Sequence, residues 1–133
     1  MAEENKKYKI IIVDDDDFLV DMYTAKFATF GVEAEVCKSG VILLEKLRNG
    51  AKADLILLDI VMPGQDGIST LREIRKEKLG TGMHIVMLTN QNDEKNISEA
   101  NILGVSGYIV KSAATPSELV TEVMKIINTS VKV

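Results

Sequence analysis

The chain has one cysteine, Cys37, so it can form no disulfide within itself, which fits a reducing, cytoplasmic setting. Cys37 ends a short alternating stretch and reads as a small core or edge residue rather than a nucleophile. There is also one histidine, His84, and no second His or Cys to share a nitrogen- or sulfur-ligated metal with it. It precedes an apolar run and reads as the residue that starts a strand. The charge excess is small, with a net −4 over 133 residues. Such a chain has no basic footprint for direct nucleic-acid binding and no polybasic patch for a membrane surface. No apolar run approaches the ~18 residues of a membrane span, and the polar, charged start is unlike a secretory signal. Internal repeats and low-complexity tracts are absent.

What is present is an ordinary globular composition, 46% hydrophobic and 27% charged, at a length that suits one domain. Residues 1–7 read as a flexible tail and residues 8–133 as the domain. Ile10–Val13, Leu55–Leu58, Ile85–Leu88 and the shorter Tyr108–Val110 are unbroken apolar runs, the mark of strands buried on both faces. Val32–Val36 alternates apolar and charged residues and reads as a half-exposed edge strand. Between these runs lie helical stripes. They are Leu19, Met22, Tyr23, Phe27 and Phe30; Ile42, Leu43 and Leu47; Ile68, Leu71 and Ile74; Ile97, Ala100 and Leu103; and Leu119, Val120, Val123, Ile126 and Ile127. Gly31, Gly50, Gly80 and Gly104 stand where these should stop. Five strand–helix pairs in alternation predict a doubly wound, flavodoxin-like α/β fold. Its parallel sheet would have the order 2-1-3-4-5, with five helices on its two faces.

In such a sheet ligands bind beyond the carboxyl ends of the strands. Asp14, Asp15, Asp16 and Asp17 follow the first run, Asp59 the third, Thr89 the fourth and Lys111 the fifth. Neighbouring first and third strands would bring Asp14 and Asp15 close to Asp59, where like charges repel unless compensated. Oxygen-only ligands suit a hard cation, and few protein carboxylates leave room for water and phosphate oxygens, which favours Mg2+ over Ca2+. Such a site suits phosphoryl transfer: Asp59 as nucleophile, Asp14 and Asp15 holding metal, Thr89 and Lys111 meeting phosphoryl oxygens. Asp16 and Asp17 read as the start of the first helix and Asp66 as a later helix cap.

The runs IIIVDDDD, LILLDIVMPGQDG, VMLTN and GYIVK, in this order, resemble the receiver domain of two-component response regulators, of the chemotaxis-type single-domain kind. The resemblance runs from about Tyr8 to the last helix. It implies that Asp59 takes a phosphoryl group from a histidine kinase or a His-containing phosphotransfer protein. Asp15 would ligate Mg2+, Asp14 would help, often through water, and the Val61 backbone carbonyl would be a third protein ligand. It implies that Thr89 and Tyr108 form a switch pair and that Lys111 is the family's lysine. A downstream protein would then read the fourth helix (Asp93–Leu103), fifth strand and fifth helix (Ser117–Asn128), with the chain a monomer or a phosphorylation-dependent homodimer. No turnover of an external substrate is expected. Pro63 and Gly67 match the family's turn, where proline holds φ and glycine permits conformations other residues resist.

Three positions depart from the family pattern. Ser112 follows Lys111 where proline, after a cis bond, is usual, so a trans bond and a remodelled loop up to Pro116 are expected. Asn90 stands where a small residue is common, to narrow access or add a hydrogen bond. Val61 offers no side-chain chemistry to a hydrolytic water, whereas Gln91 can. One alternative is a Mg2+-dependent aspartyl-phosphate phosphatase, which would want a second aspartate at position 61. Another is a flavin or nucleotide binder, which would want a glycine- or hydroxyl-rich loop after the first strand. A third is a degenerate receiver that only binds partners.

Overall fold

The computed structural model describes residues 7–62, 66–90 and 93–131. Pro63, Gln91 and most of the expected 1–7 tail lie outside the described residues. The elements in chain order are β1 (Lys9–Val13), α1 (Asp17–Thr29), β2 (Glu33–Cys37), α2 (Gly40–Arg48), β3 (Leu55–Asp59), α3 (Gly67–Lys76), β4 (His84–Thr89), α4 (Glu94–Ile102), β5 (Gly107–Val110) and α5 (Pro116–Ile127). A 3-10 turn, Lys111–Ala113, lies between β5 and α5.

All strand pairs are parallel, in the order β2-β1-β3-β4-β5. The three longer apolar runs occupy the centre because each of their residues faces one of two cores, whereas Tyr108–Val110, expected to be buried on both faces, forms the edge strand β5 and buries only Ile109. Ile11, Val13, Ile56, Leu58, Ile85 and Met87 pack under α2, α3 and α4. Ile10, Ile12, Leu55, Leu57, Val86 and Leu88 pack under α1 and α5. Fully burying one such aliphatic side chain contributes roughly 1.5–3 kcal/mol relative to exposure. Strand β2 is an edge, and its charged positions remain partly exposed as the alternation implied. Cys37 closes it, buried, with its thiol pushed up by burial to about 11.

Four helices begin with a side chain that accepts one of the first free N–H groups: Asp16, Ser39, Asp66 and Thr115. At α5 the cap is reciprocal, since the Glu118 carboxylate accepts the Thr115 N–H at 2.9 Å. Helix α4 differs. Among the described residues no side chain caps its N–H groups, and it buries only Ala100. Gly31, Gly50, Gly80 and Gly104 all adopt positive φ after their helices, as their placement suggested. Two stripe residues were misplaced by periodicity: Phe30 and Ile42 are exposed. Phe30 lies past the last turn of α1, and Ile42 sits beside the buried Leu43 on the outer side of a two-turn helix.

Gly67 is needed for a reason other than the expected one. Its φ is not positive; instead a Cβ there would come within 2.2 Å of the Asp59 carbonyl oxygen. Its N–H donates to the Ile60 carbonyl at 2.8 Å, so α3 begins in direct contact with the end of β3.

Candidate phosphoryl and metal site

The residues that follow the apolar runs do converge. Asp14 follows β1 directly, and its N–H donates to the Cys37 carbonyl at 3.1 Å, which holds it against β2. Asp59 ends β3, Thr89 ends β4, and Lys111 follows β5. Asp14, Asp59 and Thr89 are buried, whereas Asp15 is exposed. Lys111 Nζ lies 2.8 Å from Asp14 Oδ2 and 3.0 Å from Asp59 Oδ2. Asp14 Oδ1 accepts the Asp16 N–H at 3.0 Å, and Asp59 Oδ1 accepts the Val61 N–H at 3.3 Å.

One carboxylate oxygen from each of Asp14, Asp15 and Asp59 lies within 4.8 Å of the other two. Three carboxylates against one ammonium leave a local charge of −2. An oxygen-only set with that excess fits a hard divalent cation, so the residues present can hold a metal. The repulsion is visible in the protonation behaviour. Burial first, then the Asp14 charge, raises the Asp59 carboxyl to about 6, and Lys111 and the Val61 N–H only partly oppose this. Burial pulls the Lys111 ammonium down, but its bonds to Asp14 and Asp59 outweigh that and hold it above its ordinary value.

Thr89 Oγ1 is buried and has no hydrogen-bond partner among the described residues. A buried hydroxyl without a partner costs free energy, and an incoming acceptor oxygen would remove that cost. Tyr108 is 47% exposed. The pairings Met87–Tyr108 and Thr89–Val110 put Thr89 and Tyr108 on the same sheet face, the one covered by α2, α3 and α4.

Other expected residues stand as follows. Asp16 caps α1 by accepting the Leu19 N–H at 3.1 Å, and Asp66 caps α3 by accepting the Ser69 N–H at 2.8 Å. Val61 is exposed, next to the site. Asn90 is exposed, and its side chain makes no hydrogen bond to the described residues. No peptide bond among the described residues is cis, so Lys111–Ser112 is trans, and the remodelled loop is the 3-10 turn that delivers Thr115 as cap and Pro116 as first residue of α5. Sequence reasoning missed Tyr23 as a neighbour of the site. Burial raises its phenol, and the charges of Lys111, Asp14 and Asp59 act on it. Its place in an apolar stripe gave no sign of this.

Residues 10–124 match the family model for the response regulator receiver domain. The DNA-binding response regulator MtrA of Mycobacterium tuberculosis (strain H37Rv) is 33% identical over 120 residues, which is 90% of this chain and 50% of that one. The chain thus spans half the length of MtrA. The chemotaxis protein CheY of Halobacterium salinarum is 31% identical over 109 residues, 82% of this chain and 88% of the other. Among solved structures, Vibrio cholerae CheY4 superposes with a TM-score of 0.80 at 25% identity, covering 91% of this chain and 99% of its own. A response regulator from Chloroflexus aurantiacus superposes with a TM-score of 0.81 at 29% identity, covering 93% and 100%. With its sheet order, its strand-end residues and these matches in agreement, the chain belongs to the response regulator receiver-domain family.

Proposed function

We propose that Asp59 accepts a phosphoryl group from a phosphohistidine on a histidine kinase or phosphotransfer protein, with Mg2+ at the site. Receiver domains work in two-component signalling with such kinases and with downstream effectors. The observation that carries the reading is the convergence of Asp14, Asp15 and Asp59 within 4.8 Å, with the Lys111 ammonium 3.0 Å from Asp59. Asp59 Oδ attacks phosphorus as the P–N bond of the donor breaks and the electron pair stays on the imidazole nitrogen. Asp14, Asp15, Asp59 and the Val61 carbonyl would hold Mg2+, which supplies positive charge against the oxygens of the in-line transition state. Lys111 meets a second phosphoryl oxygen, and Thr89 donates its hydroxyl to a third. Water later attacks the same phosphorus, so the chain turns over only its own phosphoryl group and no external substrate.

Output follows from the orphaned hydroxyl. When Thr89 turns toward the phosphoryl oxygen, space opens on the face it shares with Tyr108, and the Tyr108 ring moves inward. Helix α4, with one buried residue and no side-chain cap among the described residues, is the α-helix that buries least. A downstream protein, or a second copy of the chain, reads the altered surface of α4, β5 and α5. States separated by a few kcal/mol suffice for such a switch.

Intact mass after incubation with acetyl phosphate tests the reading. One phosphate adduct is expected with Mg2+ present and none after chelation or in Asp59→Asn. An adduct that persists in Asp59→Asn would mean that another residue is the acceptor.

A further inference from the structure

At the opposite end of the sheet, a cavity of about 340 Å³ opens between the end of α3, the loop that leads into β4, and the end of α4. We propose that this cavity binds a small organic anion with an apolar body, of the medium-chain monocarboxylate class. The proposal concerns a different part of the molecule from Asp59 and does not rest on the phosphoryl reading.

Charge and donors decide the sign of the ligand. Arg75 and Lys78 line the cavity, and among the described residues no carboxylate does. The Arg75 guanidinium spends Nε on the Leu103 carbonyl at 2.8 Å and Nη2 on the Gly104 carbonyl at 3.0 Å, and neither partner carries a charge. Among the described residues Lys78 has no ion-pair partner, and Glu77 beside it is held by Arg48 at 2.5 Å. The loop wall adds neutral donors. Lys78, Gly80 and Gly82 have φ of 56°, 63° and 85°, an irregular path that leaves the N–H groups of Gly80, Thr81 and Gly82 without a backbone acceptor among the described residues. Lining residues with unspent N–H groups beside two cations suit a carboxylate oxygen.

The other wall sets the body of the ligand. Leu79, Met83, Leu103 and Val131 line it, and each is only partly buried. Such apolar area rejects a strongly hydrated ion such as free phosphate and gains from an alkyl chain. The volume lies in the range of small-molecule sites, which pair apolar walls with a few convergent polar groups.

The test is an amide NMR titration of the full chain with sodium octanoate, with octan-1-ol and with sodium acetate, at constant ionic strength. Octanoate is expected to bind saturably, with shifts centred on Gly80, Thr81, Gly82, Leu103 and Gly104. The alcohol and acetate should each bind at least about tenfold more weakly, because one lacks the charge and the other the chain. Lys78→Gln, at an exposed position where folding is not at risk, should weaken octanoate by about tenfold. Asp59→Asn should bind octanoate like the parent chain. Absence of saturation, shifts centred elsewhere, equal binding of the alcohol, or unchanged binding in Lys78→Gln would each overturn the proposal.

Discussion

The two ends of the sheet treat buried polar groups in opposite ways. At the amino end, His84 starts β4 and is buried, yet both ring nitrogens are used: Nε2 lies 2.9 Å from the Thr129 carbonyl and Nδ1 2.7 Å from the Ser106 hydroxyl. A carbonyl only accepts, so Nε2 carries the proton and, in the neutral ring, Nδ1 accepts from Ser106. Asp54 likewise accepts the Lys9 N–H at 2.8 Å. At the carboxyl end, Asp14 and Asp59 share one ammonium and Thr89 Oγ1 has no partner among the described residues. At the amino end, His84 and Asp54 are satisfied within the fold. Polar groups poised for a ligand are left in excess, at a cost in stability that the ligand removes.

The comparison predicts that removing a polar group has opposite signs at the two ends. The largest effect should come from Asp59. Its carboxyl is raised to about 6 from an ordinary 3.8, so its contribution to stability is full below pH 3.8 and is lost as pH rises through 6. The metal-free chain should therefore melt progressively lower between pH 4 and 7. Asp59→Asn should lack most of that decline and be the more stable form at pH 7, by about 3 kcal/mol at 1.36 kcal/mol per pKa unit. Mg2+ should raise the melting temperature of the parent more than that of the variant. Calorimetric melts across this pH range decide the matter, and a variant that melts lower than the parent at pH 7 breaks the comparison.

At the amino end the sign reverses. His84→Ala removes two hydrogen bonds made by a buried ring, so a loss of about 2 kcal/mol is expected in denaturant unfolding. That loss should not depend on Mg2+. A neutral result would mean that these contacts add nothing net to the fold.

The smallest effect belongs to Thr89. Thr89→Val replaces a hydroxyl that has no partner among the described residues with a methyl of similar size, so stability should rise slightly, by under ~1 kcal/mol. A clear loss of stability would show that the hydroxyl is already engaged in the unphosphorylated chain.

Particular residues show how far the sequence could be read. The three longer unbroken runs became the buried strands because a strand covered on both faces has no polar side to alternate with, while the short Tyr108–Val110 run became an edge with Tyr108 exposed. The glycines after the helices marked the stops because left-handed backbone is costly for other residues. Asp14, Asp15, Asp59, Thr89 and Lys111 were legible because a parallel sheet delivers the residue after each strand to one edge. Phe30 and Ile42 were misread because periodicity reports a preference for burial and not whether a neighbour is there to provide it. The need for Gly67 was traced to the wrong cause, since a clash with the Asp59 carbonyl exists only once α3 is docked.

By itself, then, the sequence determined the element order, the sheet class and the set of side chains at the carboxyl edge, all of which follow from local pattern and chain direction. Only the tertiary structure decided who partners whom. It set Lys111 between the Asp14 and Asp59 carboxylates and left Thr89 Oγ1 without a partner among the described residues. It closed both nitrogens of His84 against residues 22 and 45 positions away, and it left Arg75 and Lys78 beside a cavity with no carboxylate among its described lining residues. The physical reason is range: propensity and periodicity act over a few residues, whereas charge pairing and desolvation depend on distances that the chain sets only when it closes.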